Sequence, residues 1–382
     1  MSATLADYKL FAPIEVSPGL TLTNRLVVGP CTRARSDIET RVPTVENAKY
    51  YAQRASGGLI ISEGCAVSEQ GYGWYGAPAL YTDAQQEGWR RVVEAVHAKG
   101  GKMFLQLWHM GRQSHPSFQP DNEVVSCSSS CHAEGRTHDA QGNPTSFPTT
   151  RAMTLDEVQQ VVEGFRKCAE RAKSAGFDGV EFHGAGGYLI DEFLQSSTNH
   201  RTDQYGGSAE NRFRFLRELI AAVTTVYPAD RIGVRLAPNG AFGGMGSEDN
   251  YEMFSYAISE LGKMGLCYLA THDGVGFGRS DKSRVFTLFE LKTLFKGHVM
   301  ATCSYTRDQA EGVLHAGAAD LVGFSRAFLV NPDLPARFRN DWPLAEPLAY
   351  EFYWDAKKGL EGYNSFLPYE PVPVESGEEK EL

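Results

Sequence analysis

Residues 154–183 read TLDEVQQVVEGFRKCAERAKSAGFDGVEFH, and this stretch decides the fold. Val158, Val161, Val162, Phe165, Ala169 and Ala172 keep the i, i+3, i+4, i+7 spacing of one buried helix stripe. Thr154 and Glu157 make a capping box, in which the hydroxyl satisfies a free backbone N–H of the first turn. Gly176 is the exit, since glycine takes the left-handed conformation that ends a helix. A short strand, Gly179–His183, follows at once. Helix, glycine and strand in this order form one unit of an α/β fold.

The unit repeats in both directions. Strands are expected at Arg25–Gly29, Leu59–Ser62, Met103–Trp108, Ile232–Leu236, Cys267–Ala270, Val299–Thr302 and Leu321–Phe324. Several are apolar without alternation, as strands covered on both faces are. Further capping boxes stand at Thr82/Gln85, Thr287/Glu290 and Thr306/Gln309, and glycine exits at Gly100-Gly101 and Gly317. Eight strand–helix units predict a single (β/α)8 TIM barrel, with a doubly wound open sheet as the competitor. A length of 382 residues would allow two or three domains, but one α/β barrel can use it all. The barrel is expected over residues 1–374, followed by an acidic tail, 375–382, expected to be disordered. His109–Thr150, after strand three, is too long for an idle loop and predicts an excursion or lid.

Lys plus Arg number 37 against 47 Asp plus Glu, a formal charge of −10. That balance argues against a nucleic acid or an anionic membrane as the main partner. Seven thinly spread cysteines do not read as a disulfide framework. No apolar run approaches the ~18 residues of a membrane span. The N-terminus lacks a basic-then-apolar signal peptide. A cytoplasmic location is the expectation, and monomer or homodimer are both open.

Chemistry in a TIM barrel sits at the C-terminal ends of the strands. In order, these ends offer Thr32, Glu63 and Gly64, Gln106, His183, Arg235, His272, Cys303 and Ser304, and Ser325 and Arg326. The set is rich in neutral hydrogen-bonding groups. It has no lysine, which weakens a Schiff-base aldolase, and no His-x-His at strand one, which weakens a metal hydrolase.

Several ordered segments resemble the Old Yellow Enzyme family of FMN-dependent ene-reductases. They are Gly29-Pro30-Cys31-Thr32-Arg33, Leu105-Gln106-Leu107-Trp108-His109-Met110-Gly111-Arg112, and His183-Gly184-Ala185-Gly186-Gly187-Tyr188-Leu189. Asn199–Ser208 with Asn211-Arg212, Gly233-Val234-Arg235-Leu236 and Asn331-Pro332-Asp333-Leu334 complete the set. The pattern is similar to the classical branch, which includes plant oxophytodienoate reductases. The resemblance implies a barrel with non-covalent FMN that reduces the C=C bond of α,β-unsaturated carbonyls or quinones at the expense of NADPH.

Carried over by position, the resemblance places Pro30, Cys31, Thr32 and Gly64 at the flavin, with Thr32 on its C4 carbonyl. Gln106 would meet the pyrimidine edge, and Arg235 would set a positive charge near N1 and O2. Cys303, Ser304, Ser325 and Arg326 would hold the phosphate. His183 would donate to the substrate carbonyl oxygen, and Tyr188 would give a proton to the α-carbon. Trp108, Trp74 and Tyr75 are candidate pocket walls, with core packing the rival reading. Tyr363 matches a C-terminal tyrosine near the substrate.

The sequence departs from the family at two places. Gly186 stands where the family has Asn or His, a second donor to the carbonyl oxygen; losing one such donor costs on the order of 3 kcal/mol. Cys303-Ser304 stands where the family often has Gly-Gly. Two other motifs are set aside. Gly71-x-Gly73-x-x-Gly76 spells a dinucleotide fingerprint but precedes Pro78 rather than a helix. Cys127, Cys131, His132 and His138 have irregular spacing for zinc, and no metal is expected. Two alternatives remain beside the ene-reductase: a flavin-binding sensor crippled by Gly186, and a barrel glycosidase using Glu63 and Glu181.

Overall fold

The computed structural model describes residues 5–130, 135–272 and 278–371. Eight parallel strands close into a barrel in chain order. They are β1 (Leu26–Val28), β2 (Leu59–Ala66), β3 (Met103–Trp108), β4 (Gly179–Gly184), β5 (Ile232–Leu236), β6 (Tyr268–His272), β7 (Val299–Thr302) and β8 (Leu321–Gly323). β8 pairs back onto β1 through Val322–Leu26 and Gly323–Val27, which rules out the open sheet. Every expected strand is present. β2 runs four residues further, to Ala66, and β6 reaches His272.

Helices alternate with the strands: α1 (Val45–Gln53), α2 (Asp83–His97), α3 (Leu155–Ala175), the short α4 (Leu189–Leu194), α5 (Ala209–Val223), α6 (Asn250–Leu261), α7 (Leu288–Phe295) and α8 (Arg307–His315). The four expected capping boxes form at Thr82, Thr154, Thr287 and Thr306, and a fifth forms at Thr44 with Asn47. Gly176 takes the left-handed conformation, φ +97°.

An N-terminal hairpin, Ile14–Ser17 with Leu20–Leu22, packs Val16, Leu20 and Leu22 against Val27, Leu59, Phe104, Tyr268 and Leu321. It closes the end where the strands start. Gly179 and Gly233 make room for the rings of that layer: a Cβ would lie 2.4 Å from Cζ of Phe104 and 2.3 Å from Cζ of Tyr268. At the other end the interior turns polar, with Gln106, Glu181 and Arg235 buried. Buried charge is tolerated only when paired, and that pairing builds the site.

The excursion after β3 forms two small sheets, Thr137–His138 with Pro144–Thr145 and Val125–Ser126 with Arg151–Ala152. Cys131 and His132, the first residues of the loop after β6, and the tail 375–382 lie outside the described residues. Among the described residues, no helix is long and apolar enough to cross a membrane.

Candidate active site

Glu181 on β4 is the hub of the barrel mouth. Its Oε1 accepts from Arg235 Nε and Gln106 Nε2, both at 2.8 Å. Its Oε2 accepts from Arg235 Nη2 at 3.1 Å and from the Tyr268 hydroxyl at 3.0 Å. Four adjacent strands thus place one donor or acceptor each. Burial works against the Arg235 charge, but the Glu181 carboxylate outweighs it and holds the guanidinium pKa above its usual value. Arg235 therefore stands at the mouth as one half of an ion pair. Its charge is met from below by Glu181.

The loop after β1 is shaped by a second buried carboxylate. Glu63 Oε2 accepts the backbone N–H groups of Arg33 and Ala34, each at 2.9 Å, while Tyr51 donates to Oε1 at 3.2 Å. This grip fixes the loop that carries Pro30, Cys31 and Thr32, and Ala34 completes the turn at φ +52°. Burial raises the Cys31 thiol pKa, and the Arg33 charge only partly offsets it. Gly64 must lack a side chain, because a Cβ there would lie 2.7 Å from the Trp108 indole. Gly29 faces Ser325 in the same way, at 2.5 Å from its Oγ. Beyond β7, Cys303 and Ser304 both adopt positive φ, +80° and +68°, the conformation that suits the glycines they replace. Arg326, at the start of α9 (Ser325–Val330), donates from Nη2 to Ser304 Oγ at 2.9 Å.

Over the mouth stands a trio of rings. Trp108 lies 6.4 Å from the His183 ring in stacked orientation and meets Tyr188 edge-on at 5.1 Å. His183 and Tyr188 are 4.8 Å apart. Burial, with the Arg235 charge, holds His183 well below its usual pKa, so the ring is neutral at pH 7. Burial also raises the Tyr188 pKa, so its hydroxyl keeps its proton. Tyr188 precedes α4, and the turn before it is pinned from both sides. Gln113 Nε2 donates to the Gly186 carbonyl at 2.7 Å, and Gly187 N donates to Asp191 Oδ2 at 3.0 Å.

Trp74 extends the wall, meeting His138 of the excursion at 5.6 Å and Trp354 at 5.4 Å. Tyr75 lies against the same hairpin, beside Gly142. Tyr363 corrects an expectation. It is fully buried, stacked on Tyr50 at 4.5 Å, and accepts from Asn47 through its hydroxyl at 3.0 Å. A residue so enclosed has no face for a substrate. Other C-terminal aromatics lie nearer the ring trio: Trp354 at the end of α11 (Glu351–Trp354), which follows α10 (Leu334–Asn340), meets Trp74, and Tyr350 is within electrostatic range of Tyr188. Tyr353 is half-buried and within electrostatic range of Arg326 and Cys31. The aromatic run Phe352-Tyr353-Trp354 was the signal that could have found it.

The set-aside motifs have structural explanations. Gly73 packs against Ser114, and Gly76, at φ +79°, approaches the Ala34 carbonyl. Cys127 is buried and donates to the carbonyls of Glu192 at 3.2 Å and Thr198 at 3.4 Å. His138 packs 5.3 Å from Trp354.

The residues present fit FMN. Nε1 of Trp108 and Nδ1 of His183 are buried with no protein partner, and buried polar atoms are rarely left so without a ligand or solvent to meet them. Gln106 and Arg235 stand on the strands either side of β4, both bonded to Glu181. Cys303, Ser304 and Arg326 offer backbone and guanidinium donors for a phosphate.

Known proteins agree. Residues 9–345 match the NADH:flavin oxidoreductase / NADH oxidase family. The chain is 38% identical to 12-oxophytodienoate reductase 1 of Oryza sativa subsp. japonica, covering 98% of this chain and 97% of that one. It is 36% identical to 12-oxophytodienoate reductase 2 of Arabidopsis thaliana, with 87% and 89% covered. The Old Yellow Enzyme homologue of Zymomonas mobilis superposes with a TM-score of 0.89 at 37% identity, covering 94% of this chain and all of that one (100%). Morphinone reductase in complex with tetrahydroNAD gives 0.87 at 39% identity, with 94% and 98% covered. The chain belongs to the NADH:flavin oxidoreductase / NADH oxidase family, that of Old Yellow Enzyme, and is an FMN-dependent ene-reductase.

Proposed function

We propose that this ene-reductase reduces the C=C bond of α,β-unsaturated carbonyls with His183 as the carbonyl donor and Tyr188 as the proton donor. The observation that carries the reading is the His183–Tyr188 pair, 4.8 Å apart, one ring neutral and the other protonated at pH 7. FMN, when bound, supplies hydride that it has taken from a nicotinamide, for which NADPH is proposed. His183 orients the carbonyl and draws electron density from the β-carbon. Tyr188 delivers a proton to the α-carbon from the face opposite the barrel. Trp108 fixes both rings and excludes water from between them. Thr32, Gln106 and Arg235 hold the flavin ring, and Cys303, Ser304, Ser325 and Arg326 hold its phosphate.

The glycosidase reading does not suit the two carboxylates. Glu63 is spent on backbone N–H groups and Glu181 on Arg235, so neither faces a substrate. Buried, partnered carboxylates of this kind are structural. The six described cysteines are free thiols, which suits the reducing cytosol proposed as its location.

The test is stopped-flow spectroscopy of the holoenzyme. The flavin should be bleached by NADPH and reoxidised by cyclohex-2-enone. Tyr188→Phe should slow reoxidation by about 10²-fold or more while leaving bleaching intact. Flavin that bleaches but is never reoxidised by an enone would support the sensor reading instead, and NADH in place of NADPH tests the reductant.

A further inference from the structure

We infer that Gln113 is a positioning residue for proton transfer, clamping the turn that carries Tyr188 against the loop after β5. The inference deepens the ene-reductase reading and rests on Tyr188 being the proton donor.

Tyr188 is preceded by two glycines, Gly186 and Gly187, at φ +73° and +74°. Glycine is the residue least able to fix its own backbone. What fixes this turn must therefore come from side chains elsewhere. One tie is local: Gly187 N donates to Asp191 Oδ2, four residues on, at 3.0 Å. The other is Gln113, buried at the end of the short helical turn Gly111–Gln113 that follows β3. Its Nε2 donates to the Gly186 carbonyl at 2.7 Å.

A second glycine pair faces the first. Gly243 and Gly244, in the loop after β5, take φ +73° and +70°. A Cβ at Gly187 would lie 2.8 Å from the Gly243 carbonyl oxygen and 3.0 Å from its Cα. One at Gly243 would lie 2.6 Å from the Gly186 carbonyl oxygen. The two turns thus meet backbone to backbone. Gln113 Nε2 is 3.1 Å from both of those Cβ positions, so its amide stands at the seam. Arg112, its neighbour, donates from Nη2 to the carbonyls of Gly243 at 2.8 Å and Gly244 at 3.4 Å. Consecutive side chains of one turn therefore hold one glycine pair each. The Gln113 carbonyl accepts from Thr137 Oγ1 of the excursion at 3.1 Å, which anchors the clamp itself.

The consequence falls on the Tyr188 hydroxyl, at the far end of a long, stiff side chain. A tilt of about 10° in the turn moves that hydroxyl by about 1 Å, and such a misplacement can cost about 10²-fold in rate. Saturating the C=C bond takes a hydride at the β-carbon and a proton at the α-carbon. The hydride comes from the reduced flavin, which is thereby reoxidised, and the proton from Tyr188, which water restores. A quinone differs. It becomes a hydroquinone by taking one hydride and one proton, and both hydrogens end on oxygen, where water exchanges protons without a placed acid. Displacing Tyr188 therefore slows the enone far more than the quinone.

The experiment measures reoxidation of NADPH-reduced holoenzyme by cyclohex-2-enone and by 1,4-benzoquinone in stopped flow. Gln113→Met and Gln113→Leu both remove the N–H donor, the first at matched length and the second with a branched end. Each should lower the enone-to-quinone rate ratio by about tenfold or more. Amide exchange across residues 186–188 should quicken in the same variants. A ratio within about threefold of wild type in both variants, a parallel loss of both reactions included, would overturn the inference. So would unchanged exchange. Failure of the underlying reading shows separately, as a Tyr188→Phe variant whose ratio stays at the wild-type value.

Discussion

Glu181 and Arg235 form a buried ion pair across the mouth of the barrel, Nε to Oε1 at 2.8 Å, with side chains 0% and 2% exposed. Gln106 and Tyr268 complete the carboxylate's hydrogen bonds. With the flavin ring placed beside Arg235 as proposed, the charge that ring senses is the difference between the two residues. Glu181→Gln should leave Arg235 buried and uncompensated, at a cost of about 3–5 kcal/mol in stability. The midpoint potential of the bound flavin should shift positive in the same variant. Denaturant titration and potentiometry measure the two effects, and an unchanged potential would mean that Glu181 acts on the fold alone.

Cys303 and Ser304 hold left-handed backbone conformations that L-residues with a Cβ disfavour by about 1–2 kcal/mol each. Glycine removes that strain but adds unfolded-state entropy worth about 0.5–1 kcal/mol. Cys303→Gly and Ser304→Gly should each be neutral to stabilising by about 1 kcal/mol. Thermal unfolding of the apoprotein reads this, and a clear loss of stability in either variant would show that the side chain contributes more than its backbone strain.

Glu192 is buried beneath the turn at Gly111, accepting from Arg112 N at 2.8 Å and Ser126 Oγ at 2.5 Å. Burial pushes its pKa up to about 8, against the opposing effect of those hydrogen bonds. The folded state thus binds a proton that the unfolded state has released above its ordinary carboxylate range. Stability from this group is present at acid pH and is lost as pH rises through about 8. Glu192→Gln keeps the shape without the titration. Its stability relative to wild type should rise between pH 5 and pH 8, and parallel pH profiles of the two proteins would refute the assignment.

Arg33 joins the loop after β1 to the C-terminal segment. Its backbone is held by Glu63, while its side chain donates to the carbonyls of Tyr353 at 2.8 Å, Gly362 at 3.1 Å and Phe352 at 3.3 Å. The guanidinium also lies over the rings of Tyr50 and Tyr363, at 4.9 and 5.0 Å. A lysine has no planar fork to reach three carbonyls. Arg33→Lys should loosen the segment from Tyr350 to Tyr363, raising KM for the enone and speeding amide exchange there. Exchange rates equal to wild type would show that the segment is held by other contacts.

Local chemistry explains how much was legible in the chain. Thr154 with Glu157 and Gly176 with Gly179 are decided by neighbours in sequence, so helix starts, exits and strands could be read directly. Eight such units leave few ways to cover both faces of every strand, and the pairing of β8 with β1 decides for the barrel over the open sheet. The order of His183, Gly186 and Tyr188 within one short turn likewise keeps the substrate-side residues together. Contacts between distant segments were not legible in this way. Tyr363 was drawn to the wrong wall because only the folded chain shows it stacked on Tyr50, far back in sequence. Tyr353 reaches the mouth because Arg33 ties down its carbonyl from the opposite end of the chain. Arg235 was legible as a buried charge at the mouth, but its compensation depends on where β4 lies beside β5, with His183 level with Arg235 and Glu181 one turn of the pleat below. The sequence by itself determined the eight strand–helix units and the residues at their strand ends, because capping, periodicity and glycine exits are short-range. The tertiary structure alone decided that the sheet closes, which of those residues share a charge and where the C-terminal aromatics pack, because those depend on contacts between segments tens to hundreds of residues apart.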